Sequence, residues 1–215
     1  MFETLKIQAL EILSKFKIQN SKLMQIISIS GLDGSGKSTQ INLLKEYLEN
    51  QGKKVFYFHA VAFSIANRKK TNSSSAKSVT KASWFKIQLR KIALVVDSLR
   101  FKKLCKKLEA GGFDFILSDR YFYDNLINIA YLSKTSYEIR DTRYEKIPRP
   151  DYAFYLNTDP ELIMQRDRVP DQGLEYLKKK KILLDKFAQE KNLTIIDGNR
   201  EKNIIHLEIL NTILK

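Results

Sequence analysis

The chain has 215 residues, 43% hydrophobic and 29% charged, enough to bury one sizeable core and most simply one domain. Lysine and arginine together number 38 against 24 acidic residues, a net charge of +14, but 28 of the 38 are lysines spread along predicted helices, which favours a solvated surface that draws in small anions over a nucleic-acid footprint. The single cysteine, Cys105, excludes an internal disulfide, and no apolar run approaches the roughly 20 residues of a membrane-spanning helix.

Phe2 to Ile18 place Phe2, Leu5, Ala9, Ile12, Leu13 and Phe16 on one face and Lys6, Glu11, Lys15 and Lys17 mostly opposite. This pattern predicts an amphipathic helix within residues 1–22, ahead of a main domain over 23–215. The N-terminus carries no secretory h-region or cleavage site, so a cytoplasmic protein is expected.

Met24 to Ile29 is an apolar, β-branched run and reads as the first strand. Directly behind it, Gly31-Leu32-Asp33-Gly34-Ser35-Gly36-Lys37-Ser38 fits the phosphate-cradling pattern G-x-x-x-x-G-K-[ST]. The glycines let successive backbone N–H groups, Ser35 included, curl around a polyphosphate. Lys37 supplies a point charge at the β/γ oxygens, and the Ser38 hydroxyl can hold Mg²⁺. Ile41, Leu43, Leu44, Tyr47 and Leu48 keep helical spacing and predict a helix over Gln40 to Asn50, its positive N-terminal end aimed at the same anion.

Lys53 to His59 reads as a second strand, Arg68 to Ser83 as a basic surface loop, and Trp84 to Glu109 as a long helix. Phe113 to Ser118 is a third buried strand ending in Asp119-Arg120, followed by a helix over Tyr121 to Leu132 and a polar connection, Ser133 to Pro150. Asp151 to Asn157 is a fourth strand. Pro160-Glu161 opens a short helix, with proline in the position its fixed φ suits. Arg166 to Gly173 is a hinged, charged stretch; Leu174 to Lys191 is a helix, Leu193 to Ile196 a fifth strand, and Glu201 to Leu214 a closing helix. Strands alternating with helices predict an α/β fold, a parallel sheet covered on both faces. Ligands of such sheets bind beyond the carboxyl ends of the strands, where Gly31 to Ser38 and Asp119-Arg120 can converge.

Asp119, at a strand tip, suits the acidic position that holds Mg²⁺ directly or through water. Arg120 can fork onto a phosphate outside the nucleotide triphosphate. The plain alternative is an ion pair between the two. Arg166 and Arg168 lie on the hinged stretch, where an arginine can neutralise charge developing on a transferred phosphoryl group while a lid excludes water; the alternative is a solvated helix end. No Ser-His-Asp set is evident. An acceptor that is itself a phosphate needs no general base, and catalysis then rests on positioning and electrostatics.

These residues together resemble the thymidylate kinase family. The match is the sum of Gly31 to Ser38 with Thr39, Asp119-Arg120-Tyr121, the strand from Pro150-Asp151 to Asp159-Pro160-Glu161, and the arginine-bearing stretch ending Asp171-Gln172-Gly173-Leu174-Glu175. It spans roughly residues 24 to 210. The resemblance implies a P-loop NTPase with a five-stranded parallel sheet and a mobile lid at about 162–175. It also implies ATP and Mg²⁺ as cosubstrate and cofactor, dTMP as phosphoryl acceptor, and a homodimer.

Carried over by position, the phosphate loop through Thr39 binds ATP, Asp33 is the loop carboxylate near the acceptor, Arg120 binds the acceptor phosphate and Tyr121 lines the acceptor site. Arg166 and Arg168 are lid arginines. Asn199 and Arg200 belong to a loop beside the adenine, and Arg90 or Arg100 reads the acceptor base. Two segments depart from the family pattern: His59-Ala60-Val61-Ala62-Phe63 stands where Arg-Glu-Pro is usual, and Asp124-Asn125 where a serine is expected. Two alternatives stay open: a kinase of the same fold with another acceptor, and a nucleotide-dependent nucleic-acid-binding module.

Overall fold

A computed structural model of the chain describes residues 24–67, 84–133, 147–167 and 169–214. The expected N-terminal helix, the basic loop, most of the connection after Ser133, and Arg168 lie outside the described residues. The elements are β1 (Gln25–Gly31), α1 (Lys37–Asn50), β2 (Val55–His59), α2 (Ala60–Phe63), a 3-10 turn (Ile65–Asn67) and α3 (Trp84–Ala110). They continue with β3 (Phe115–Arg120), α4 (Phe122–Ser133), β4 (Tyr152–Asn157), α5 (Pro160–Met164), α6 (Gly173–Glu190), β5 (Thr194–Asp197) and α7 (Lys202–Ile213).

The five strands form one parallel sheet in the order β2-β3-β1-β4-β5, the α/β architecture expected from the alternating pattern. Side chains alternate across it. Ile26, Phe58, Ile116 and Tyr155 pack under α3, α4 and α6, whereas Ile27, Ile29, Leu117, Phe154 and Ile196 pack under α1 and α7. Both faces are therefore covered, and β1 is buried at every residue after Gln25, with only the small polar side chains of Ser28 and Ser30 among its isoleucines. Phe58, Phe101, Tyr121 and Phe122 make an aromatic knot on the first face, with Phe58 and Phe101 centroids 4.4 Å apart. Each such fully buried ring contributes about 2–3 kcal/mol by area alone.

β1 lies between β3, reached after the excursion to β2, and β4, where the chain crosses to the other side. That reversal opens the crevice at the carboxyl ends of β1, β3 and β4. One departure from expectation falls at this edge. α1 begins at Lys37, three residues before the predicted start at Gln40, because left-handed Gly36 (φ 101°, ψ 8°) turns the loop directly into the helix. After β2, His59 caps the short α2, its Nδ1 accepting from the Ala62 N–H at 3.2 Å. Among the described residues no helix is long and apolar enough to cross a membrane.

Candidate active site

The loop between β1 and α1 curls around its own backbone. Gly34 (φ 81°) and Gly36 (φ 101°) occupy conformations that L side chains rarely adopt, so the glycine spacing is demanded by the turn. The Lys37 ammonium is buried and donates to the Gly31 and Leu32 carbonyls at 3.1 and 2.5 Å. Burial pushes its pKa down from 10.5 to about 8, the carboxylates of Asp124 and Asp33 only partly offsetting that cost. Ser35 Oγ is buried without a hydrogen-bond partner among the described residues.

Ser38, exposed on the first turn of α1, donates its hydroxyl to Asp119 Oδ2 at 2.6 Å, across 81 residues of chain. Asp119 Oδ1 accepts from the Tyr57 hydroxyl at 2.7 Å. A hydroxyl and a carboxylate side by side are hard oxygen donors of the kind Mg²⁺ takes together with phosphate oxygens, so these residues fit that ion.

Asp33, on the loop, gathers a second group. Its Oδ1 accepts from Arg120 Nη2 at 2.7 Å, and its Oδ2 faces the Tyr176 hydroxyl and Lys180 Nζ, each at 3.4 Å. Lys180 is buried and also donates to the Tyr176 hydroxyl at 3.0 Å. Burial alone would raise the Asp33 pKa, but Lys180, then Lys37 and Arg120, pull it down to about 2. Beneath them Asp124 accepts from Ser30 Oγ at 3.0 Å; burial raises its pKa, with Lys37, Lys180 and Arg120 opposing. Three cations thus face two carboxylates, one of which burial biases toward its neutral form. These cations lie behind a concave turn of backbone N–H groups, an arrangement suited to polyphosphate.

The far wall comes from the loops after β4 and β5. Arg166 Nη1 donates to Gly34 O at 2.6 Å and Nη2 to Gly198 O at 3.5 Å. Asn199 bonds both the main chain and the carboxylate of Asp159, at 2.9 and 3.0 Å, and Arg200 pairs with Glu208 and with Asp197. Thr158 Oγ1 lies 3.4 Å from Ser35 O, joining this wall to the phosphate loop.

The thymidylate kinase family model matches residues 29–209, which hold every strand from the end of β1 onward and all of these groups. The chain belongs to the thymidylate kinase family. A thymidylate kinase of Thermosipho africanus (strain TCF52B) is 30% identical over 205 residues, covering 88% of this chain and 97% of its own. One from Plasmodium falciparum (isolate 3D7) is 28% identical over 213 residues, covering 91% and 92%. Among solved structures, the Candida albicans thymidylate kinase superposes with a TM-score of 0.62 at 19% identity over 89% of this chain and 91% of that one. The Ehrlichia chaffeensis enzyme gives 0.62 at 17% identity over 90% and 100%. At such identities the structural likeness concerns the fold.

Not every residue that the family resemblance nominates sits in the crevice. Tyr121 is fully buried, its hydroxyl donating to Pro148 O at 2.6 Å, so it belongs to the aromatic knot and does not line an open site. Arg100 is held against the segment after β2: Nη1 donates to Asp97 Oδ1 at 2.6 Å and Phe63 O at 3.0 Å, and the guanidinium lies 4.2 Å from the Phe63 ring centroid. Asp97, itself buried, also accepts from the Ile65 N–H, so the pair latches α2 and the 3-10 turn to α3. Arg90 is half-buried on the same helix, about 80° around its axis from Arg100. Thr39 is exposed beside Ser38.

Four residues of this constellation escape a reading of the sequence: Tyr57, Asp124, Tyr176 and Lys180. Lys180 hides in the run Lys178 to Lys181, which reads as a solvated face. A usable signal was there. The buried positions of α6 are Leu177, Lys180, Leu184, Phe187 and Ala188, so Lys180 occupies the core stripe.

Proposed function

We propose that this protein is a dTMP kinase that transfers the γ-phosphoryl group of ATP to dTMP, giving dTDP and ADP. The observation that carries the reading is the convergence of Lys37, Ser38–Asp119 and Asp33–Arg120 on one glycine-lined turn. The phosphate-loop backbone and Lys37 hold the β- and γ-phosphates. Ser38 and Asp119 hold Mg²⁺, which when bound neutralises charge on those oxygens. Arg120, aimed by Asp33, orients the acceptor phosphate. An ionised oxygen of dTMP attacks the γ-phosphorus, the new P–O bond forms as the bond to the β-phosphate oxygen breaks, and ADP leaves. No side chain takes a proton, because the attacking oxygen carries none near neutral pH.

Residues 162–175 act as the lid, with Arg166 and Arg168 its cations. Arg166 already reaches the loop backbone at Gly34, a position from which it can turn to the transferred group once phosphates occupy the turn. Asn199 and Arg200 flank the adenine, and Arg90, half-buried on α3, is the arginine left to bear on acceptor recognition.

The test is ADP release from MgATP with dTMP, dUMP, UMP, CMP, AMP and GMP offered separately. Stimulation at least tenfold greater by dTMP than by the other five is expected; equal rates without any acceptor would remove the kinase reading.

We further place the protein in the cytoplasm as a homodimer. On α3, Phe85, Leu89, Ile92, Val96 and Leu99 are between 37% and 64% exposed at alternating spacings of four and three, a heptad-like seam. A second copy laid across it self-complementarily buries both seams. Light scattering should report a dimer for the native chain and a monomer for Ile92→Lys, with a melting temperature for the variant that is lower and no longer depends on protein concentration.

A further inference from the structure

We propose that Tyr57 is a positioning residue for the metal-binding carboxylate, its hydroxyl fixing which oxygen of Asp119 is presented beside Ser38. The inference rests on the kinase reading above, in which Ser38 and Asp119 hold Mg²⁺.

β2 and β3 pair in step from Val55↔Phe115 to Phe58↔Ser118, and then His59 pairs with Arg120, so Asp119 is the extra residue of a bulge. A bulge frees its residue from the regular ladder and re-aims its side chain. Asp119 therefore sits at the carboxyl end of β3 without a cross-strand partner of its own on β2. Its side chain falls on the same face as Leu117, toward α1, and so does that of Tyr57, since Phe58 points into the opposite core.

From that face the Tyr57 ring spans the gap the bulge leaves. Its hydroxyl donates to Asp119 Oδ1 at 2.7 Å while Oδ2 accepts from Ser38 Oγ at 2.6 Å. One oxygen is thereby taken by a fixed donor, and the other is left beside the Ser38 hydroxyl. Asp119 is buried, yet Tyr57 itself is 42% exposed and adds little to the core. A large ring at a half-open edge position whose hydroxyl ends on a buried carboxylate is placed by that bond rather than by packing. Partners that orient a metal ligand in this way typically change metal affinity by roughly 10–100-fold when removed.

The experiment compares the native chain, Tyr57→Phe, Asp119→Asn and the double variant. Mn²⁺ binding in the presence of a non-hydrolysable ATP analogue is followed by electron paramagnetic resonance, beside the Mg²⁺ dependence of turnover at saturating ATP and dTMP. Tyr57→Phe keeps the ring and is expected to weaken Mn²⁺ binding about tenfold. The Mg²⁺ concentration for half-maximal rate should rise in parallel, with the KM for dTMP and the melting temperature nearly unchanged. In the Asp119→Asn background the same change should have no further effect, the non-additivity of two groups acting through one another. Native-like Mn²⁺ affinity in Tyr57→Phe, or an equal loss in both backgrounds, would overturn the positioning role while leaving the kinase reading standing. Failure of the native chain itself to bind Mn²⁺ with the nucleotide would instead overturn the metal assignment on which both rest.

Discussion

Replacing Lys37 with methionine is expected to lower turnover by roughly a hundred- to a thousand-fold, the usual cost of removing one preorganised charge from a developing oxyanion, and at the same time to make the protein more stable. The second effect follows from its burial. The ammonium sits among backbone carbonyls out of water, and its pKa falls from 10.5 to about 8, a gap worth about 3 kcal/mol.

The folded value lies below the unfolded one, so the unfolded chain holds this proton more tightly between pH 8 and 10.5. Below about pH 8 both states are charged and the full destabilisation is present; it is relieved as pH rises through that window. Methionine keeps the length and carries no charge, so thermal unfolding at pH 7 should show a higher melting temperature for the variant. In the native enzyme the same titration should make kcat/KM for ATP decline as pH rises through about 8, because that ratio reports the free enzyme. A Lys37→Met variant that is both active and no more stable would show that the amine is neither desolvated nor used.

Asp33→Asn is expected to do the reverse, losing both stability and acceptor affinity. Its carboxylate is held at about 2 against an ordinary 3.8, which amounts to about 2 kcal/mol. The folded pKa is the lower, so that contribution is fully present above pH 3.8 and disappears as pH falls through about 2. The loss is larger than this linkage alone, because Lys180 stays buried without its carboxylate. Arg120 loses its aim at the same time, and the KM for dTMP should rise more than that for ATP. The pair Asp33→Asn with Lys180→Met separates the effects: denaturant unfolding should return toward the native midpoint, while the KM for dTMP stays high. Were the double variant no more stable than Asp33→Asn alone, Lys180 would not be the group that the carboxylate neutralises.

The phosphate loop was legible because its chemistry lies in one short segment, in which strand, glycine turn and helix follow one another without help from elsewhere. The parallel sheet was legible for a similar reason. Strands buried on both faces read as mostly apolar runs broken only by small polar residues, and Ile26 to Ser30 or Phe115 to Ser118 show that without reference to their partners. Element ends were less so. α1 starts at Lys37 because of a glycine conformation rather than hydrophobic spacing, and β3 runs on to Arg120 because β2 pairs there past the bulge.

Tyr121 and Arg100 show where positional analogy runs out. Asp119-Arg120-Tyr121 reads as one motif, yet successive strand residues point to opposite faces, and a residue just past the strand end turns with the chain. Asp119 faces α1, whereas Tyr121 is drawn into the aromatic knot with Phe58, Phe101 and Phe122. For Arg100 the decisive neighbour is Asp97 one turn earlier, which, once buried, needs a cation more than the crevice needs a free arginine.

A nucleotide-binding turn behind the first strand of a parallel α/β sheet, and acidic and basic residues at a second strand end, can be read off the chain in order. These are properties of local pattern and period. Which polar groups meet is a matter of the fold: Lys180 reaches Asp33 across 147 residues, Tyr57 reaches Asp119 across 62, and Ser30 reaches Asp124 across 94. Such pairings depend on strand order, on a single bulge in register and on which stripe of α6 faces inward. Those features are set by the packing of the whole core and leave no mark at any one position of the chain.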